Sequence, residues 1–114
     1  MTRLYLPATL AMLADLDAGA VLDTADAFVA PDESEEAEYD ALVAAAEASA
    51  GLVAGLADGV RRRVVVVADV AGEPATVGIL DLVAVHADAG DDADPESDPG
   101  WYGVQEIPAL MRGN

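Results

Sequence analysis

The run Val64-Val65-Val66-Val67-Ala68-Asp69-Val70 constrains the fold more than any other part of this 114-residue chain. It offers no polar residue before Asp69. On a half-exposed sheet, strand alternation would put every second valine in water, so the run predicts a central strand covered on both sides. The fold must therefore supply two apolar layers for this one strand.

The remaining elements follow from period and punctuation. Arg3-Leu4-Tyr5-Leu6 reads as a first strand that Pro7 ends. Thr9 is a helix cap, Leu10, Leu13, Ala14 and Asp17 follow at helical spacing, and Gly19 suits the C′ position. Ala27-Phe28-Val29-Ala30 is a second strand, stopped by Pro31. Ser34 or Asp32 can then cap a long helix from Glu35, where Tyr39, Leu42, Val43, Ala46, Ala50, Val53 and Leu56 recur every three to four residues towards Gly59. Gly72-Glu73-Pro74 is a turn, Val77–Ile79 and Leu82–His86 are short strands, Trp101–Val104 a last strand and Ile107–Met111 a helical tail.

This order predicts one α/β (α+β) domain over residues 1–114, with a flexible acidic loop at 88–100. The expected architecture is a two-layer sandwich, with two main helices on one face of a mixed four- to five-stranded sheet. Two helices on one face leave the other side of Val64–Val70 bare. Its cover has to come from the C-terminal segment or a second subunit, hence the expectation of a homodimer.

Charge narrows the functions. Twenty-two Asp and Glu face five Arg and no Lys, a formal charge of −17. Such a field repels nucleic acid, acidic membrane surfaces and anionic substrates, which leaves a protein, and a basic one, as the expected partner. Ala occurs 25 times and Val 14 times against two Ile and one Asn, a usage typical of GC-rich coding. That bias explains the missing Lys but not the shortage of Arg. Six acids crowd Asp32–Asp40 and six more Asp88–Asp98. At 54% hydrophobic residues the chain is too apolar for disorder, and with 4% aromatics its core must be Val, Leu and Ala. No Cys is present, which removes disulfides, thiol catalysis and thiolate metal sites. Arg3 before the apolar stretch Leu4–Ala14 imitates a secretory leader, but Pro7 and Thr9 interrupt it. Residues 1–20 thus read as folded structure of a cytoplasmic protein, and nothing reaches the length of a membrane span.

Few residues invite chemistry. Asp92, Asp94, Glu96 and Asp98 alternate in the acidic loop and are calcium candidates, since hard cations take carboxylate oxygens. The EF-hand pattern fails: counted from Asp92, position six is Ser97 rather than Gly and position twelve is Gly103 rather than Glu. His86, the only histidine, stands two residues before Asp88, which could orient its ring for base catalysis; Asp69, at the end of the buried strand, is the third catalytic candidate. No Ser or Cys nucleophile is tied to them, and one His makes a poor metal site. Arg61-Arg62-Arg63 is a basic triplet expected to pair internally, and Trp101-Tyr102 are expected to cap opposite sheet faces. Nucleotide-binding glycine fingerprints, a Walker loop, a nucleophile elbow and zinc spacings are all absent, so no cofactor is expected.

Several segments together resemble a family of short, uncharacterised actinobacterial proteins, a domain of unknown function. They are Arg3-Leu4-Tyr5-Leu6-Pro7-Ala8-Thr9, Glu36-Ala37-Glu38-Tyr39-Asp40-Ala41-Leu42, Arg61-Arg62-Arg63-Val64-Val65, Ala68-Asp69-Val70, Val85-His86-Ala87-Asp88, and Trp101-Tyr102 with Gln105-Glu106-Ile107. The chain looks short between His86 and Trp101 relative to that family. The resemblance implies no activity and transfers no functional residue. The expected function is a non-enzymatic protein-binding or regulatory module. The alternatives are a small enzyme using carboxylates and His86, and an acidic mimic of nucleic acid that binds a basic protein. Salt adaptation is a non-functional source of the same charge.

Overall fold

The computed structural model describes residues 1–56, 61–90, 93–94 and 96–111. In chain order the strands are β1 (Thr2–Ala8), β2 (Leu22–Asp23), β3 (Phe28–Val29), β4 (Val64–Val70), β5 (Thr76–Val77), β6 (Leu82–Ala87) and β7 (Gly100–Tyr102). The helices are α1 (Leu10–Asp17), α2 (Glu35–Ala54) and α3 (Ile107–Met111). The all-apolar run is β4, the middle strand of a five-stranded sheet in the order β3-β1-β4-β6-β7. Strands β2 and β5 pair separately as a short ribbon.

Helix ends follow the local chemistry. Thr9 Oγ1 accepts from Met12 N at 3.1 Å to start α1. Gly19 then adopts φ +106, and Ala20 N donates to Asp15 O while Gly19 N donates to Leu16 O, a Schellman ending. Ser34 caps α2 by accepting from Ala37 N, and Asp32 braces that cap by accepting from Ser34 N. Glu35, Glu36 and Glu38 sit in the first turn, at the positive end of the helix dipole. The helix stops at Ala54 with Gly55 as its cap, short of the expected Gly59, which lies outside the described residues.

The class is α+β as expected, but the layers differ. Every sheet pairing is antiparallel, so the sheet is not mixed. The two main helices cover opposite faces rather than one. On the first face Leu4, Leu6, Ala8, Val64, Val66 and Val85 pack with Leu13 and Leu16 of α1, Leu22 and Val77 of the ribbon, and Ile107 and Leu110 of α3. On the second, Tyr5, Val65, Val67 and Ala84 pack against Ala41, Ala45 and Ala46 of α2, whose small side chains let the helix approach closely. The chain thus builds both layers itself, and each buried valine contributes roughly 1.5–3 kcal/mol. A second copy is not needed to cover β4, which removes the ground on which a homodimer was expected.

Pro7 does not end the first strand; it pairs with Val65 inside it. Buried Ser49 explains why this is tolerated. Its Oγ accepts from Val64 N at 2.9 Å and donates to Ala8 O at 2.7 Å, closing the end of the β1–β4 ladder. Ala8 therefore faces β4, and by alternation the nitrogen and carbonyl of Pro7 face the other edge. There β3 has already stopped at the Tyr5–Phe28 pair, so no ladder bond is lost. A bulge leaves Val83 unpaired between the Val67–Ala84 and Ala68–Leu82 pairs. No helix among the described residues is long and apolar enough to cross a membrane.

Candidate functional site

Two of the three arginines in the triplet, Arg62 and Arg63, turn inward, while Arg61 stays exposed. Arg63 Nε and Nη2 donate to the two oxygens of Asp88, each at 2.8 Å, and Arg63 N donates to Asp88 Oδ2 at 2.9 Å. Both residues are buried, Asp88 to 4% exposure. The bidentate fork raises the guanidinium pKa, which keeps it charged throughout. Arg63 Nη2 also reaches Ser97 O at 2.7 Å and Asp94 O at 3.3 Å, so one guanidinium ties the acidic loop to the start of β4. Arg61 Nη1 donates to Val53 O in the last turn of α2. Arg62 Nε donates to Asp88 O, yet its Nη2 is buried with no hydrogen-bond partner among the described residues. Arg62 is only 5% exposed, an orphaned donor that costs free energy.

The three catalytic candidates do not assemble. Asp88 is held by Arg63 and not by the imidazole. Asp69 accepts Arg3 Nε at 2.8 Å and Nη2 at 3.1 Å, and that fork lowers its pKa and raises that of the guanidinium. Arg3 Nη1 also reaches Glu38 Oε1 at 3.0 Å, which accepts from the Tyr5 hydroxyl, so Asp69 and α2 are bound to β1 through one guanidinium. His86 and Asp69 share the second face, but His86 lies opposite Val65, four residues before Asp69 along β4. At strand rise that is about 13 Å. The cavity that Asp69 lines is bounded by Met1, Arg3, Pro31 and Glu38 and does not reach His86.

Two of the calcium candidates, Asp94 and Asp98, use their carboxylates in local hydrogen bonds. Asp94 Oδ1 accepts from Glu96 N at 2.9 Å, Asp98 Oδ1 accepts from the Tyr39 hydroxyl at 3.0 Å, and Asp92 lies outside the described residues. Among the described residues no three His, Asp or Glu come together to hold a metal ion.

What does assemble is an aromatic surface at the β7 edge. Trp101 pairs across strands with His86, so their side chains share the second face, while Tyr102 turns to the first and packs on its core. The two rings thus occupy opposite faces, as expected. Trp101, the only tryptophan, is 61% exposed. Burial lowers the His86 pKa, against the opposing pull of the neighbouring Pro99 backbone and of Asp98, so near neutral pH the ring is an uncharged aromatic. Tyr39 reaches from α2 to Asp98, and that bond raises the phenol pKa. A chain of contacts thus runs from Tyr39 through Asp98 and Pro99 to His86 and Trp101. Periodicity assigned Tyr39 to the buried stripe of α2, but it is 49% exposed. Only its neighbourhood to the loop, which spacing does not encode, gives it this place.

No curated protein and no solved structure matches the chain. A family described as a family of unknown function, DUF6912, matches residues 2–95, from the first strand into the acidic loop that Arg63 ties down. The chain therefore belongs to the DUF6912 family of unknown function.

Proposed function

We propose that this protein is a non-enzymatic binding module that receives a basic segment of a partner protein on the Trp101 surface. The supporting observation is where the single tryptophan sits. In a chain with 4% aromatic residues, the side chain with most area to bury stays largely in solvent while adjacent Tyr102 is half-buried against the core. An exposed Trp beside neutral His86 and the Asp98 carboxylate offers a face for a guanidinium or ammonium and a counter-charge next to it. The −17 field draws such a partner in and accelerates encounter. A cytoplasmic setting suits the cysteine-free composition.

The alternatives have less support. The separation of His86 from Asp69, with Asp88 committed to Arg63, works against a carboxylate-imidazole enzyme. A nucleic-acid mimic needs its acids on one face, whereas Asp15 and Asp17 belong to α1 and Glu35, Glu36 and Glu38 to α2, on opposite sides of the sheet.

The test is anisotropy of a labelled, acetylated tetra-arginine peptide at about physiological ionic strength. Trp101→Ala is expected to weaken binding about fivefold, the size of an exposed cation–aromatic contact. The charge-matched controls Asp98→Asn and Asp15→Asn should differ, the first weakening binding and the second leaving it unchanged. Equal effects of the two would reduce the interaction to net charge and overturn the assignment.

A further inference from the structure

A second feature stands at the opposite edge of the sheet, independent of Trp101. Because β3 stops at the Tyr5–Phe28 pair, no strand among the described residues lies beside the outer edge of Leu6–Ala8. A cavity of about 490 Å³ fills that place. Its floor is Leu6 and Pro7, and its walls include Met12 of α1 and Leu52 of α2. Its volume lies in the range of small-molecule sites, about 300–1,000 Å³. We propose that this cavity binds a small organic cation with an apolar body, an aryl- or alkyl-amine.

The polarity of the lining selects that class. Among the described residues its charged groups are the carboxylates of Asp23 and Asp26, with no Arg. The backbone edge at Pro7 offers an outward carbonyl and no N–H. Acceptors at the rim and hydrocarbon inside match a ligand with a donor-rich positive head and an apolar tail; an anion meets only repulsion. The missing N–H at Pro7 also disfavours an added peptide strand, which would find one acceptor and no donor there.

The rim is built before any ligand arrives. Thr24 N donates to Ala75 O and Thr24 Oγ1 to Pro74 O, pinning the segment between β2 and β3 to the ribbon. Asp23 Oδ1 accepts from Ala25 N at 2.7 Å, and Ala27 N donates to Thr24 O. These bonds fix the Asp23 carboxylate and the backbone that carries Asp26 at the mouth, so little backbone ordering opposes binding.

The experiment is amide chemical-shift titration of the full chain with three probes of one shape: 4-phenylbutylammonium, 4-phenylbutanol and 4-phenylbutyrate. Saturable shifts from the ammonium compound at Leu6, residues 22–28 and residues 48–52 are expected. The alcohol should bind about tenfold more weakly, since two exposed carboxylates each add a modest attraction. The carboxylate should not bind. Asp23→Asn with Asp26→Asn, which keeps the Ala25 N bond, should bring the ammonium compound down to the affinity of the alcohol. Glu96→Gln with Asp98→Asn removes equal charge at the other sheet edge and should change nothing. No saturable shift at millimolar ammonium compound, shifts mapping elsewhere, or equal affinity for alcohol and ammonium would each overturn the proposal. Trp101→Ala should leave this titration intact, so its failure and that of the Trp101 surface can be told apart.

Discussion

Replacing Arg63 with Met tests whether the arginine triplet is structural. The substitution deletes the two charge-assisted bonds to Asp88, and the bonds to Ser97 O and Asp94 O, while leaving the carboxylate buried with only Arg63 N as a donor. Stranding one partner of a buried pair costs about 3–5 kcal/mol. Against a total stability of about 5–15 kcal/mol, that is a large fraction. With a urea slope of about 2 kcal/mol/M, the midpoint should fall by about 2 M at unchanged slope. Circular dichroism is the proper readout, because Trp101 is already in solvent and reports unfolding poorly. Replacing both partners, Arg63→Met with Asp88→Leu, removes the stranded charge and should recover about half of the loss. About 1–3 kcal/mol should remain missing, since Arg63 N then loses its acceptor. A midpoint drop below about 0.5 M for Arg63→Met would mean the pair behaves like a surface ion pair, and a double variant as poor as the summed singles would refute the coupling.

Three further outcomes follow. Arg62→Met removes a buried guanidinium with an orphaned Nη2 at the cost of one bond to Asp88 O, so urea melts should show it neutral or stabilising, the opposite of Arg63→Met. Ser49→Ala leaves Val64 N and Ala8 O without their shared partner, and hydrogen exchange at Val64 should lose protection corresponding to about 1–3 kcal/mol. Because burial lowers the folded-state pKa of His86, the unfolded chain binds the proton more readily; stability is complete above pH ~6.5 and declines as pH falls through the folded value. Urea midpoints between pH 7 and 5 should show that slope, and His86→Gln should flatten it.

The parts of this fold that depend on local chemistry were legible in the residues. The unbroken valine run required cover on both sides and has it; Thr9, Ser34 and Gly19 shape their helix ends as their types demand. The choice of face was not legible. Whether α1 and α2 fall on the same side depends on how antiparallel strands are connected in space, and apolar period carries no such information. Pro7 misled because its effect depends on whether a neighbour needs its N–H, and that neighbour, β3, ends two residues too early to need it. The candidate surface was half visible: Trp101 and His86 stood out by rarity, but their union with Tyr39 arises from a pairing register and a loop tether. Of the catalytic candidates, Asp69 and Asp88 proved to be ion-pair partners of Arg3 and Arg63, the use to which an acidic chain puts its few arginines.

The most direct test of the binding role is capture from a native cell extract, with mass spectrometry of what is retained by three baits. These are the unaltered protein, Trp101→Ala, and Leu80→Ala, which trims a still more exposed apolar side chain as a control. A basic protein retained by the first and third baits and lost with Trp101→Ala is the predicted result. The same proteins retained by all three would contradict a binding surface centred on Trp101.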